Sequence, residues 1–209
     1  DDYVLTDNIN TISFLQILNN TNTNYYPSNL IGIEDFISLE YLSVSNNSLT
    51  SLDVSNNTAL TSLYCWGNNL TDLDLSNNTN LELVACHTNN LTNLDLGNNT
   101  ALVSLLCSNN NLTSLDLSNH TNLETVDCSD NSLISLDFDA NNNTYLSTVE
   151  CQNNNLTSLD LSNGTSLIDI NCTNNNLTSL DVSNCSVLEM VTCNDNNLTS
   201  LDVSNSPSL

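Results

Sequence analysis

The sequence predicts an all-β protein: a parallel β-solenoid of about nine turns with little or no helix. Three features carry this expectation. A unit of 21 residues is copied along most of the chain, and self-similarity at a fixed period of this size marks a stacked-repeat architecture. Within each copy, triplets such as Leu63-Tyr64-Cys65 and Leu73-Asp74-Leu75 alternate apolar and polar positions, which is the side-chain period of a strand. Between the triplets lie turns rich in Asn, Ser and Thr. No stretch sustains an apolar period of 3.6 over the ~10 residues a helix needs.

The elements follow in order. Residues 1–27 read as an irregular N-terminal segment holding a degenerate first turn (Ile12, Leu15, Ile17, Asn20), and Thr21 to Asn29 read as a loop. Residues 28–209 read as the solenoid. An upstream copy spans Ser28 to Ser48, with Leu39, Leu42, Val44 and Asn47 in the template positions. Further copies start at Leu49, Leu70, Leu91, Leu112, Leu133, Leu156, Leu177 and Leu198, and the last stops halfway at Leu209. The step is 21 residues except for 23 after Leu133, where Asn141 to Thr144 absorb two extra. The chain opens at Asp1 without an initiator Met and reads as a processed product or a fragment.

Each copy joins two similar halves. One has the form LxxLxCxxNxL, as in Leu60, Leu63, Cys65, Asn68 and Leu70; the other has the form LxxLDLSN, as in Leu70, Leu73, Leu75 and Asn77. This pattern resembles the leucine-rich repeat family, in its short bacterial form LxxLxCxxNxLxxLDLSxNxx. The likeness covers about Ile9 to Leu209 and extends to the segments preceding such repeats in bacterial surface proteins. It implies one parallel sheet built from the LxC strands, a second strand-like wall from the LDL segments, and no helix on the opposite side. It also implies recognition of host or neighbouring macromolecules.

Stacking places equivalent residues about 4.8 Å apart, the spacing of paired strands. Three ranks then matter. The first is Asn47, Asn68, Asn89, Asn110, Asn131, Asn154, Asn175 and Asn196. An inward amide at a tight turn bonds backbone of its own turn and of a neighbour, so these residues are expected to form a buried structural ladder. The second is Cys65, Cys86, Cys107, Cys128, Cys151, Cys172 and Cys193. Stacked side chains all point one way, which suits neither a disulfide nor a tetrahedral metal site, so they read as small apolar core fillers. Cys185 stands alone in the other half and reads as a free thiol.

The third rank is Asp53, Asp74, Asp95, Asp116, Asp137, Asp160, Asp181 and Asp202. Each lies between two inward residues and should face outward. Like charges one strand apart repel, and the chain offers no Lys or Arg to offset them. The alternatives are hydrogen bonds from turn Ser, Thr and backbone N–H groups, raised pKa values, or bound Ca²⁺ on Asp53, Asp74, Asp95, Asp116, Asp160, Asp181 and Asp202. No other cofactor is expected.

With 24 acidic residues and no Lys or Arg, the formal charge is -24. A nucleic-acid interface needs cations to displace phosphate counterions, so one is excluded, as is binding to anionic lipid. No apolar run reaches the ~18 residues that span a bilayer. Sixteen N-x-S/T sequons occur. Among the outward ones, Asn56, Asn69, Asn77, Asn90, Asn98, Asn111, Asn155, Asn171, Asn176 and Asn197 are glycan candidates; Asn171 and Asn197 also carry an acid two residues earlier. His87 and His120, the only histidines, are expected on the surface. Neither lies in the sequence context of a catalytic triad, there is no phosphate loop, and no enzyme is expected.

The functional expectation is a non-catalytic extracellular or cell-surface structural protein. The repeat pattern runs unbroken to Leu209 and aromatics gather in the N-terminal part (Phe14, Tyr25, Tyr26, Phe36, Tyr41). Ends of that kind would self-associate as a filament or surface fibre. The alternative is an adhesion or recognition module for protein or carbohydrate, with calcium as a possible bridge. Exposed aromatics beyond Tyr64, Trp66 and Tyr145 are few, so no strong binding hot spot is expected. A Thr rank (Thr50, Thr71, Thr92, Thr113) suggests ice binding, but the neighbouring aspartates charge that face.

Overall fold

A computed structural model describes residues 9–17, 27–138, 143–161 and 164–209. Expectations for Asn20, Tyr25, Tyr26, Asn141 and Asn142 lie outside the described residues. Among the described residues thirteen three-residue strands follow in chain order. The first five are β1 (Phe14–Gln16), β2 (Tyr41–Ser43), β3 (Ser62–Tyr64), β4 (Leu83–Ala85) and β5 (Ser104–Leu106). Next come β6 (Ser114–Asp116), β7 (Thr125–Asp127), β8 (Ser135–Asp137), β9 (Thr148–Glu150) and β10 (Asp169–Asn171). The last are β11 (Ser179–Asp181), β12 (Met190–Thr192) and β13 (Ser200–Asp202). A 3-10 turn spans Ile33–Asp35.

Nine of these strands form one parallel sheet in the order β1-β2-β3-β4-β5-β7-β9-β10-β12. The LDL segments make the opposite wall, with β6 paired to β8, β11 paired to β13, and a single bridge between Asp160 and Asp181. Every pair is parallel, and the register is set by the repeat: Leu42 faces Leu63, Leu63 faces Val84, and Val84 faces Leu105. This is an all-β parallel solenoid, and among the described residues no helix is long and apolar enough to cross a membrane.

The middle residue of each strand points inward, because successive side chains alternate sides. Leu42, Leu63, Val84, Leu105, Val126, Val149 and Ile170 are therefore all fully buried. One turn, taken from Leu60, buries Leu60, Leu63, Cys65, Leu70, Leu73 and Leu75. No single turn encloses these side chains by itself, so stability resides in contacts between neighbours. The chain leaves the sheet through a left-handed residue in each turn: Asn46, Gly67, Thr88, Asn109, Asp130, Asn153, Asn174 and Asp195, with φ between 51 and 67°. Asn and Asp tolerate that region. Gly67 takes this position without strain, and a Cβ there would lie 2.7 Å from Asn46 Oδ1, so that side chain would have to shift.

Candidate functional site

The asparagine rank is held by backbone on both sides. The Nδ2 of Asn68 donates to Cys65 O at 2.9 Å and to Val44 O of the preceding turn at 3.0 Å, while its Oδ1 accepts the Leu49 N–H at 3.0 Å. Asn89, Asn110, Asn131, Asn154, Asn175 and Asn196 repeat the arrangement, as with Asn110 on Cys107 O, Cys86 O and the Leu91 N–H. Asn47 opens the series on Val44 O. Cys65, Cys86, Cys107, Cys128, Cys151 and Cys172 are fully buried beside it, and Cys193 is half-buried. Burial disfavours the thiolate. It pushes Cys86 and Cys172 up to about 12 and raises Cys65, Cys107, Cys128 and Cys151 as well.

A second ladder, not anticipated, lies at the other turn. Asn57, Asn78, Asn99, His120, Asn143, Cys185 and Ser206 occupy equivalent positions and are all buried. Asn99 donates to Leu75 O at 3.1 Å and Asn78 O at 2.9 Å; His120 Nε2 meets Leu96 O at 3.1 Å; Ser206 Oγ donates to Val182 O at 2.8 Å. His120 is thus 1% exposed and not a surface residue. Cys185 is a free thiol, buried as one rung of this series, its Sγ donating to Leu161 O at 3.4 Å. The signal lies in the second Asn of the NNT runs, Asn57, Asn78 and Asn99, beside the sequon Asn of each.

The aspartate rank faces solvent along its whole length, with Asp116 in register with Asp137 and Asp181 with Asp202. Six of the eight carboxylates are seen engaged locally. Oδ1 of Asp53, Asp74, Asp95, Asp116, Asp181 and Asp202 accepts the backbone N–H two residues on, at 2.9–3.0 Å. The Ser118 and Ser204 hydroxyls add a second bond to Asp116 and Asp202. Hydrogen bonds from the serine side chain and then its N–H hold Asp53, Asp74, Asp116 and Asp202 below the usual carboxylate value; for Asp53 they outweigh the opposing charge of Asp74. Among the described residues no three His, Cys, Asp or Glu side chains converge as metal ligands. Of the sequon asparagines, Asn56, Asn69, Asn77, Asn90, Asn98, Asn111, Asn155, Asn176 and Asn197 are exposed and Asn171 is half-buried on β10.

The outer face of the nine-stranded sheet is built differently. The wall repeats Asp at every turn, but the outward positions of the sheet change from strand to strand. Phe14 on β1 stacks on Tyr41 of β2 (centroids 4.3 Å apart, planes 10°), and Tyr41 meets Tyr64 of β3 at 5.2 Å. Trp66, two residues beyond Tyr64 and so on the same side, stacks on His87 at 5.0 Å and 11°. Leu83 and Ala85 of β4 and Leu106 of β5 follow. Then come acids: Asp127 of β7 lies in register with Glu150 of β9, and Asp169 is on β10 beside it. Asp127 accepts hydrogen bonds from the Ser108 hydroxyl at 2.8 Å and the Ser129 N–H at 3.1 Å. Burial pushes the Glu150 carboxyl up, and the nearby Asp169 and Asp127 charges add to this. Burial lowers His87, with Asp127 pulling the other way.

This face brings together aromatics that the sequence scattered. Phe14 and Tyr41 each precede a template leucine, Leu15 and Leu42, and the β1–β2 register sets them face to face.

The fold and its two ladders define a leucine-rich repeat solenoid. A family model for leucine-rich repeats, two copies, matches residues 37–77. No curated protein matches the chain in sequence. Among solved structures, the chain is similar to the functional domain of InlJ from Listeria monocytogenes, which includes a cysteine ladder (TM-score 0.79, 29% identity, 99% of this chain and 49% of that one). It is also similar to YopM, a leucine-rich effector protein of Yersinia pestis (0.66, 30%, 79% and 46%). A leucine-rich repeat protein of Leptospira interrogans shares the fold (0.77, 19%, 85% and 49%). The chain spans about half the length of these structures. The chain is thus similar to leucine-rich repeat proteins of bacteria.

Proposed function

We propose that the chain is a non-catalytic recognition module of an extracellular or cell-surface protein, binding a partner macromolecule on the outer face of the nine-stranded sheet. The observation that carries this reading is the contrast between the two walls. The LDL wall presents the same Asp at turn after turn, as a purely structural surface would. The sheet face instead gathers Phe14 stacked on Tyr41, Tyr64 tilted against Tyr41, and Trp66 stacked on His87, all partly exposed, and large rigid aromatics are the residues that anchor interfaces. The likeness to InlJ and YopM supports an interaction role, and the charge of -24 keeps such a surface soluble. The labelled chain on arrays of proteins and glycans tests the proposal. Retention should fall at least tenfold in Tyr41→Ala/Trp66→Ala and stay within twofold in Asp74→Asn/Asp95→Asn. Retention insensitive to the sheet face removes it.

End-to-end self-association is a second reading. β1 and β12 are the outermost described strands, and Phe14, Met190, Leu201 and Val203 beside them are 42–58% exposed. Sedimentation at high protein concentration in moderate salt separates the two: a single monomeric species excludes the fibre.

A further inference from the structure

Resting on the recognition reading, we infer that the occupant of the sheet face is an extended, cationic protein segment. Its apolar end lies on Phe14, Tyr41, Tyr64 and Trp66, and its arginines or lysines lie on Asp127, Glu150 and Asp169. Three observations converge on this occupant. The face is polarised along the strand order: aromatic on β1–β3, aliphatic at Leu83, Ala85 and Leu106, and acidic on β7, β9 and β10. The chain carries no Lys or Arg, so the acidic end has no internal counter-ion, and Asp127 and Glu150 face each other directly across a strand pair. Like charges in that position destabilise one another. A guanidinium between them relieves the repulsion and offers paired donors to carboxylates.

The wall aspartates differ in that respect. They are solvent-exposed; Asp127 is bonded by its turn as they are, but Asp127, Glu150 and Asp169 are half-buried on a sheet face, where water screens their charges less. From β2 to β10 there are six strand spacings, about 29 Å, which an extended segment of about nine residues spans. An acidic partner is repelled along the whole length. A neutral sugar would use the aromatic end and leave the carboxylates uncompensated. Burial is the first cause of the raised Glu150 carboxyl, and the Asp169 and Asp127 charges add to it; a bound cation would offset those charges, so binding should weaken as pH falls toward the carboxylate range, where His87, near Asp127, is also charged.

Titration calorimetry of the full chain in 150 mM salt decides the matter. The probes are a ten-residue peptide with two tryptophans at one end and three arginines at the other, its reversed sequence, its glutamate-for-arginine counterpart, and cellohexaose. One of the arginine peptides is expected to bind. Asp127→Asn/Glu150→Gln/Asp169→Asn should weaken it at least tenfold and Trp66→Ala likewise. The charge-matched wall triple Asp74→Asn/Asp95→Asn/Asp116→Asn should change it less than twofold, with thermal melting confirming that each variant folds. Equal losses in both triples mean that only bulk charge attracts the peptide, and they overturn the inference. So does the absence of arginine-peptide binding up to millimolar concentration. Binding of cellohexaose lost in Trp66→Ala but kept in the acidic-face triple sinks the cationic occupant and leaves the recognition reading standing. If some probe binds but no sheet-face substitution affects it, both fall.

Discussion

At the residue scale, one asparagine does the work of several backbone bonds. The amide of Asn110 satisfies two carbonyls and one N–H from two different turns, all inaccessible to water. Removing it orphans these groups, at about 1–3 kcal/mol for each. Asn110→Ala is therefore expected to destabilise by about 3 kcal/mol or more in urea unfolding, and Asn110→Asp, which keeps the acceptor but loses the donors, by a comparable amount. Asn99 makes only donor bonds, and its Oδ1 has no protein partner, so Asn99→His should be milder, as His120 already fills that position one turn on. The thiols give a second prediction. At pH 8 with iodoacetamide, mass spectrometry should find Cys193 modified first, and the buried Cys65 to Cys172 rank together with Cys185 only on unfolding. Rapid native labelling of Cys107 would contradict its burial.

At the scale of the element, the 21-residue turn is the unit of exchange. Deleting residues 91–111 joins Asn90 to Leu112 in the place of Asn111 and preserves every rank, so the shortened chain should fold with a somewhat lower melting temperature. Deleting half a turn throws the LxC strand out of register with its neighbours and should abolish cooperative melting. The LDL wall carries a further expectation. Its carboxylates are held by serine hydroxyls and backbone N–H groups, so chelation with EDTA should leave the melting temperature unchanged. A large drop would show that calcium contributes to the wall.

At the scale of the whole molecule, 24 acids without a cation make the solenoid repel itself. Salt screens exposed charges, so the melting temperature should rise between 10 mM and 0.5 M NaCl; no rise would mean that the turn hydrogen bonds absorb the repulsion entirely. The pH dependence has two limbs. Folding raises the buried thiols above their unfolded value of about 8.5, so the stability they contribute is complete below that pH and is lost as pH rises toward about 12. Folding lowers Asp53, Asp74, Asp116 and Asp202, so their contribution is present above about 3.9 and is lost as pH falls below it. Urea melts from pH 7.5 to 10.5 should show the alkaline loss, with a shallower slope in Cys107→Ala/Cys128→Ala.

Legibility followed periodicity. The stacked solenoid, the Asn68-type rank and the outward Asp rank could all be read from the chain, because a constant step converts sequence spacing directly into spatial adjacency. His120 was misplaced because it is an exception to its rank: identity changed while backbone position did not, and burial belongs to the position. The aromatic cluster was legible only in part: Phe14 and Tyr41 each precede a template leucine, but the diagonal contact of Tyr41 with Tyr64 depends on strand geometry. The amino-acid sequence alone determined the repeat, the core and the charge, all properties of local pattern summed over copies. The tertiary structure alone decided which varied positions share a face and in what order, because that depends on pairing between strands far apart in the chain.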